Sequence, residues 1–279
     1  MYEIIATEND AGRTLYKLLC KYLNNLPLSR IEKLFRKKDI KVNQNRKVTK
    51  DQVVNLGDSI VIYGVNDLKK PETFQKISYD FKIIYEDNNI LIIDKKSGVV
   101  VHSETNCLDN QILSYLNYQN IDSFKPSHIG RLDKETSGLI VYAKNYATLV
   151  AFNENNHHFI KRYLFKSDFN LPYLELELYF YKQSDGKIKT SPKAKNGYKY
   201  AKTIFYLDGN KQIAEIKTGR KHQIRLSLKY LGKPIYGDIK YGGKRANRLM
   251  LHSYYLKIDS LTGNLSYLNG FEFYSKPKL

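Results

Sequence analysis

A chain of 279 residues with 42% hydrophobic content is long enough for one large domain plus a small one, and apolar enough to bury a core, which excludes disorder as the default. Forty-six Lys and Arg against 28 Asp and Glu leave a formal charge of +18, which points to a polyanionic partner, nucleic acid ahead of an anionic membrane surface. Apolar runs of strand length only, an N-terminus without a signal-peptide pattern, and two distant cysteines (Cys20, Cys107) with no histidine at ligand spacing argue against membrane insertion and a metal site, and for a reducing cytoplasm.

Leu15, Leu18, Leu19, Tyr22 and Leu23 fall at helical spacing and predict an amphipathic helix ending near Pro27. Ser29 with Glu32 reads as a capping box opening a second helix, with Ile31, Leu34 and Phe35 inward and Arg30, Lys33, Arg36 and Lys37 on a cationic outer face. Strands are expected at 40–43 and 53–63, the latter containing a Gly57-Asp58 turn signal. Residues 28–50 hold nine Lys or Arg and two acids, so this mini-domain, 1–63, offers either a phosphate-binding surface or a solvated basic face. Residues 64–80, polar and aperiodic around Lys69-Lys70-Pro71, read as a linker. From 81 to 279 strands dominate, at 82–86, 89–94, 137–143, 159–166, 173–181, 199–206, 211–217 and 251–258, with helices near 108–118, 145–155 and 221–231. The expected fold class is α+β: a large mixed or antiparallel sheet flanked by helices and loops, preceded by a small α+β domain. His157-His158 is taken as a strand pair whose side chains point to opposite faces and share no metal.

Charges and turn formers concentrate in the segment from His128 to Lys144, immediately before a buried strand. Asp133 lies there between Arg131 and Lys134, a cationic setting that favours a carboxylate. Such a group serves as nucleophile or base, or merely caps its own turn, and spacing does not choose between these.

That segment resembles the signature of the RluA-type pseudouridine synthases, roughly HxxRLDxxTSGLLxxAK. Residues 85–102 resemble the family's opening strands, with Lys96 where a proline is usual. Thr218-Gly219-Arg220-Lys221-His222-Gln223-Ile224-Arg225 resembles its TGRTHQIR motif, with Lys221 replacing a threonine, and the likeness runs on through Ser227, where a histidine is usual, to Gly237-Asp238. Lys161-Arg162-Tyr163 resembles its K-x-Y motif, and Arg248 to Ser253 a lesser block. The resemblance implies that Asp133 is the catalytic carboxylate, Arg225 its partner, and Tyr163 the ring that stacks on uracil, with Leu251 and its neighbours as pocket wall and His252 structural. Arg131 either enters the base stack in place of the flipped nucleotide or contacts a phosphate. Lys134, Lys161, Arg220, Lys221 and His222 are the implied RNA contacts at the mouth, and residues 217–248 hold ten Lys or Arg and one acid.

Residues 1–63 resemble a small S-four-type RNA-binding module, on Ala11-Gly12-Arg13-Thr14-Leu15, Ser29-Arg30, Val42-Asn43 and Leu56-Gly57-Asp58. Residues 64–80 and 182–198 fall outside the resemblance. It implies an enzyme that isomerises uridine to pseudouridine in structured RNA, large-subunit ribosomal RNA first and transfer RNA second, without cofactor or metal; a monomer is the simplest expectation. A non-catalytic RNA-binding protein would be expected to have lost one of Asp133, Tyr163 and Arg225; a glycoside hydrolase would need a second catalytic carboxylate across a sugar.

Overall fold

The computed structural model describes residues 1–65, 74 and 76–277, so most of the expected linker lies outside the described residues. The chain opens with β1 (Tyr2–Ile5), α1 (Leu15–Tyr22), α2 (Leu28–Arg36), β2 (Ile40–Val42) and β3 (Ser59–Ile62). An antiparallel sheet of order β1-β3-β2 closes with both helices over Leu15, Leu18, Leu19, Ile31, Leu34, Ile60 and Ile62. Thr14 caps α1 by accepting from the Lys17 amide. The capping box expected at Ser29 is corrected: the N-cap is Pro27, two residues earlier, so α2 starts at Leu28 with no side-chain cap. Proline holds the extended entry, and its carbonyl takes the Arg30 amide at 2.8 Å, leaving Ser29 already inside the first turn. The strand expected over 53–63 survives only as β3, because Asn55 to Asp58 form a turn around Gly57 at φ +82°.

This module is docked. Asp10, fully buried, accepts from the Thr7 amide, the Tyr22 hydroxyl and, across the interface, the Ser123 amide. Asn9 donates to Asp122 at 2.8 Å and accepts from the Tyr146 amide at 2.9 Å, and the Arg13 guanidinium lies 3.5 Å from the centre of the Tyr146 ring. Asn9, Asp10 and Arg13 thus each find a partner across the interface, which offsets the cost of burying them there.

The remaining elements are β4 (Lys82–Glu86), β5 (Ile90–Lys95), α3 (Leu108–Tyr115), β6 (Ser127–Ile129), β7 (Ser137–Ala143), α4 (Tyr146–Asn155), β8 (Ile160–Phe165), β9 (Tyr173–Lys182), β10 (Ile188–Ser191), β11 (Lys199–Asp208), β12 (Lys211–Ile216), α5 (Gln223–Tyr230), β13 (Leu251–Lys257) and β14 (Glu272–Tyr274). They build one 11-stranded sheet, order β10-β9-β11-β12-β8-β13-β7-β5-β4, with β6 on β7 and β14 on β13. The sheet is mixed: β13 with β7 is a parallel pair, and the other pairings are antiparallel. The continuous apolar runs of β5 and β7 are buried on both faces, whereas β9 and β11 alternate buried with open positions. At the start of β7, a Cβ on Gly138 (φ +110°) would fall 2.2 Å from the Ser253 carbonyl oxygen, so glycine lets β7 and β13 close directly behind the loop that carries Asp133. His157 and His158 lie in a turn, not on a strand, with ring centres 3.9 Å apart. Among the described residues no helix is long and apolar enough to cross a membrane.

Candidate active site

Asp133 stands in the loop joining β6 to β7, at one side of a cavity of about 380 Å³. Arg225, from the first turn of α5, reaches it: Nη1 donates to Asp133 Oδ2 at 3.0 Å, while Nε and Nη2 donate to the two oxygens of Asp238 at 2.8 and 2.9 Å. One guanidinium is therefore shared by a fully buried carboxylate and a partly open one, 1% and 17% exposed at the side chain. The paired carboxylates outweigh the cost of burial and push Arg225 above the usual arginine range. The fork of donors makes the aspartates fix its orientation, and with it that of Asp133.

The entry to α5 explains how Arg225 comes to be inside. Gln223 is buried with its amide spent: Oε1 accepts from Thr218 Oγ1 and the Arg220 amide, and Nε2 donates to the Lys202 carbonyl and Thr203 Oγ1. That ties the helix start to β11. His222, at the N-cap in the left-handed region (φ 57°), turns its ring under Asp133, with Nε2 3.6 Å from Oδ1 and Nδ1 2.6 Å from the Tyr241 hydroxyl.

The expected mouth residues divide. Arg131, Lys134, Arg220 and Lys221 are exposed, as are Arg30, Lys33, Arg36 and Lys37 on the N-terminal module. His222 and Lys161 do not project at the mouth. Lys161 lines the cavity with its ammonium donated to the Asn156 carbonyl and Oδ1, both at 2.7 Å, and burial pushes it down to about 8. Tyr163, on β8, faces the same cavity and is buried; its phenol is pushed up to about 12 by that burial, so it enters the site as a neutral hydroxyl. Leu251 and Ser253 line the wall, and buried His252 is held between Ser137 Oγ and the Ser275 carbonyl.

Burial first, opposed by Asp133 and reinforced by the nearby Arg225, Lys240 and Lys221, pushes His222 down to about 4. An unfolded-state histidine near 6.5 binds a proton that the folded one refuses, so stability falls as pH drops from about 6.5 toward 4. His222→Gln is expected to narrow the stability gap between pH 7 and pH 5 by about 1–2 kcal/mol in urea titrations, the buried His252 retaining the remainder.

Three participants escaped sequence reasoning: Asp238, Tyr241 and Lys95. Asp238 lies in the matched stretch but its partner is set by tertiary structure. Lys95 is a lysine closing a buried apolar strand, a signal that was readable. It is fully buried, pushed down to about 8 by that burial, and donates to the carbonyls of Lys96, Val99 and Lys134 at 2.8–2.9 Å, tying the turn after β5 to the residue following Asp133. Lys95→Met leaves two of those carbonyls without a replacement donor and should cost about 1–3 kcal/mol in chemical denaturation, with a larger fall in single-turnover rate than in RNA affinity.

Fold and site define the class: an enzyme with a carboxylate-centred pocket on a basic, mixed-sheet domain. Residues 89–230 match the family described as RNA pseudouridylate synthase. The chain is 36% identical over 290 residues to an uncharacterized RNA pseudouridine synthase of Mycoplasma capricolum subsp. capricolum, spanning 96% of this chain and 95% of that one. It is also 36% identical over 278 residues to ribosomal large subunit pseudouridine synthase C of Rickettsia felis, spanning 88% of each. The solved structure of human RNA pseudouridylate synthase domain containing 1 shares the fold, with a TM-score of 0.54 over 71% of this chain and 87% of that one at 20% identity. The chain belongs to the RNA pseudouridylate synthase family and is an isomerase acting on RNA.

Proposed function

We propose that this enzyme converts selected uridines of large-subunit ribosomal RNA to pseudouridine, with Asp133 as the catalytic carboxylate. The observation that carries the reading is that Asp133 and Arg225, the latter braced from behind by Asp238, line one cavity with Tyr163. The target nucleotide is flipped from its stack into that cavity, at a cost of a few kcal/mol offset by phosphate contacts and by stacking on Tyr163. Asp133 works at the ribose, by attack on C1′ or by removing a ribose proton, and Arg225 holds it in place for either route. The N1–C1′ bond breaks, the uracil turns within the pocket, C5 bonds to C1′, and the C5 proton is replaced by one on N1. The sum is an isomerisation that needs no cofactor. Arg131, Lys134, Arg220 and Lys221 supply phosphate contacts around the mouth, and His222 and Lys161 act from the wall. The choice of ribosomal RNA rests on the printed names of relatives such as the Rickettsia felis enzyme.

Residues 1–63 are read as an S-four-type RNA-binding domain that presents the basic face of α2. Chemical mapping of pseudouridine in total RNA from cells with and without the gene tests the whole reading. Loss of discrete large-subunit positions, restored by wild type and not by Asp133→Asn, is the expected result; loss in transfer RNA alone overturns the substrate assignment. Deletion of residues 1–64 is expected to weaken RNA binding and broaden site choice while the catalytic domain stays folded, read by the same mapping.

A further inference from the structure

Among the described residues no helix covers the outer face of β9, β10 and β11. α5 covers the opposite face, over Leu178, Phe180 and Ala201. Outward on β9 stand Tyr179 and Tyr181; across from them lie Tyr200 on β11 and Lys189 on the edge strand β10. Tyr181 and Tyr198 stack with ring centres 4.3 Å apart and planes within 9°, and Tyr179 meets Tyr200 at 5.8 Å. All four rings are at least partly open to solvent. Lys182, Lys187, Lys189, Lys193, Lys195 and Lys199 surround them, all exposed, with Asp185 the one acid between residues 182 and 199. Asp185 pairs with Lys187, and among the described residues the other five lysines form no ion pair. The ribbon also adjoins the cavity: Arg220, in its wall, donates Nε to the Tyr200 carbonyl at 2.7 Å.

We infer that the β9–β10–β11 ribbon is a second RNA-binding site, which takes the unpaired strand flanking the target uridine. It rests on the reading of the chain as an enzyme acting on RNA, and names a subsite outside the catalytic pocket. Lysines on an edge strand also deter edge-to-edge pairing, but that role requires neither a tyrosine stack nor lysines off the edge, at Lys182 and Lys199. The solvent-facing Tyr181 and Tyr198 rings among unpaired lysines, at the end of the face away from Glu175 and Glu177, match a single strand: each ring offers a π face to an unstacked base, and the lysines track its phosphates. A duplex keeps its bases stacked on one another and leaves the rings unused. The ribbon thus holds the chain next to the flipped nucleotide after it has left its helix.

The test uses the full-length chain and a labelled unpaired RNA of about twenty nucleotides, with the same sequence in a duplex for comparison. Tyr181→Ser with Tyr198→Ser is expected to weaken binding of the single strand about tenfold and of the duplex by less than about twofold, while the corresponding phenylalanine pair binds like wild type. Lys189→Gln, Lys193→Gln and Lys195→Gln together should lower the slope of log affinity against log salt by about 2, and a charge-matched set at Lys82, Lys125 and Lys211 should lower it by far less. Equal binding by the serine pair, equal losses for duplex and single strand, or equal slopes for the two lysine sets would each overturn the inference. Thermal unfolding of each variant separates lost binding from lost fold. Because the readout is binding, a wild-type protein that binds as expected and converts no uridine contradicts the catalytic reading and leaves the ribbon assignment standing.

Discussion

Asp133→Asn is expected to lower the rate of pseudouridine formation by more than ~10³-fold while RNA affinity stays within about twofold of wild type. The substitution keeps an oxygen that can accept from Arg225 Nη1 at the 3.0 Å position, so the array and the cavity survive. What is lost is the negative charge to which we assign attack on, or deprotonation of, the sugar, and neither Tyr163, held as a neutral phenol, nor His222, held as a neutral imidazole near physiological pH, supplies a carboxylate in its place. Single-turnover conversion of a labelled transcript, beside a filter-binding titration of the same RNA, separates the two quantities. Conversion at the wild-type rate would sink the assignment of Asp133; equal losses of rate and affinity would make it a binding residue.

Much of this architecture can be read from side-chain period and motif. β5 and β7 announce themselves as continuous apolar runs, and α1 by its Leu15, Leu18 and Leu19 stripe. β6, β10 and β14 do not, because strands of three or four residues owe their pairing to a neighbour already in place rather than to their own pattern. The start of α2 differs from expectation because Ser29 and Glu32 fit a capping box that Pro27 pre-empts two residues upstream. In the site, Asp133 and Arg225 were readable through the motif, but the inward turn of His222 depends on a left-handed N-cap residue, and that of Lys161 on a carbonyl and side chain of Asn156 at the far end of α4. Asp238 is the clearest case of what spacing withholds. It is 13 residues from Arg225, and nothing in that interval states that the two meet.

That meeting makes Asp238→Ala the substitution expected to cost the fold most. Arg225 and Asp238 are both buried, and the alanine leaves two guanidinium donors without an acceptor in a place that excludes water, a loss of about 3–5 kcal/mol for breaking one side of a buried ion pair. Asp238 also accepts from the Tyr241 amide, so the short turn that places Tyr241 against His222 loosens as well. Asp133→Ala makes the informative contrast. It removes one bond from the same guanidinium, at a side chain open to the cavity, and should cost no more than about 1–2 kcal/mol. Urea denaturation of the two variants therefore sorts the aspartates: a large loss at Asp238 with a small one at Asp133 means that one carboxylate anchors the arginine and the other is presented by it. Equal losses would mean that Asp133 is a structural member of the array. The chemistry follows the same division, since Asp238→Asn, which keeps an acceptor for Nε, should leave a folded enzyme in which Arg225 is free to swing and the rate falls through misplacement of Asp133, by about 10–100-fold.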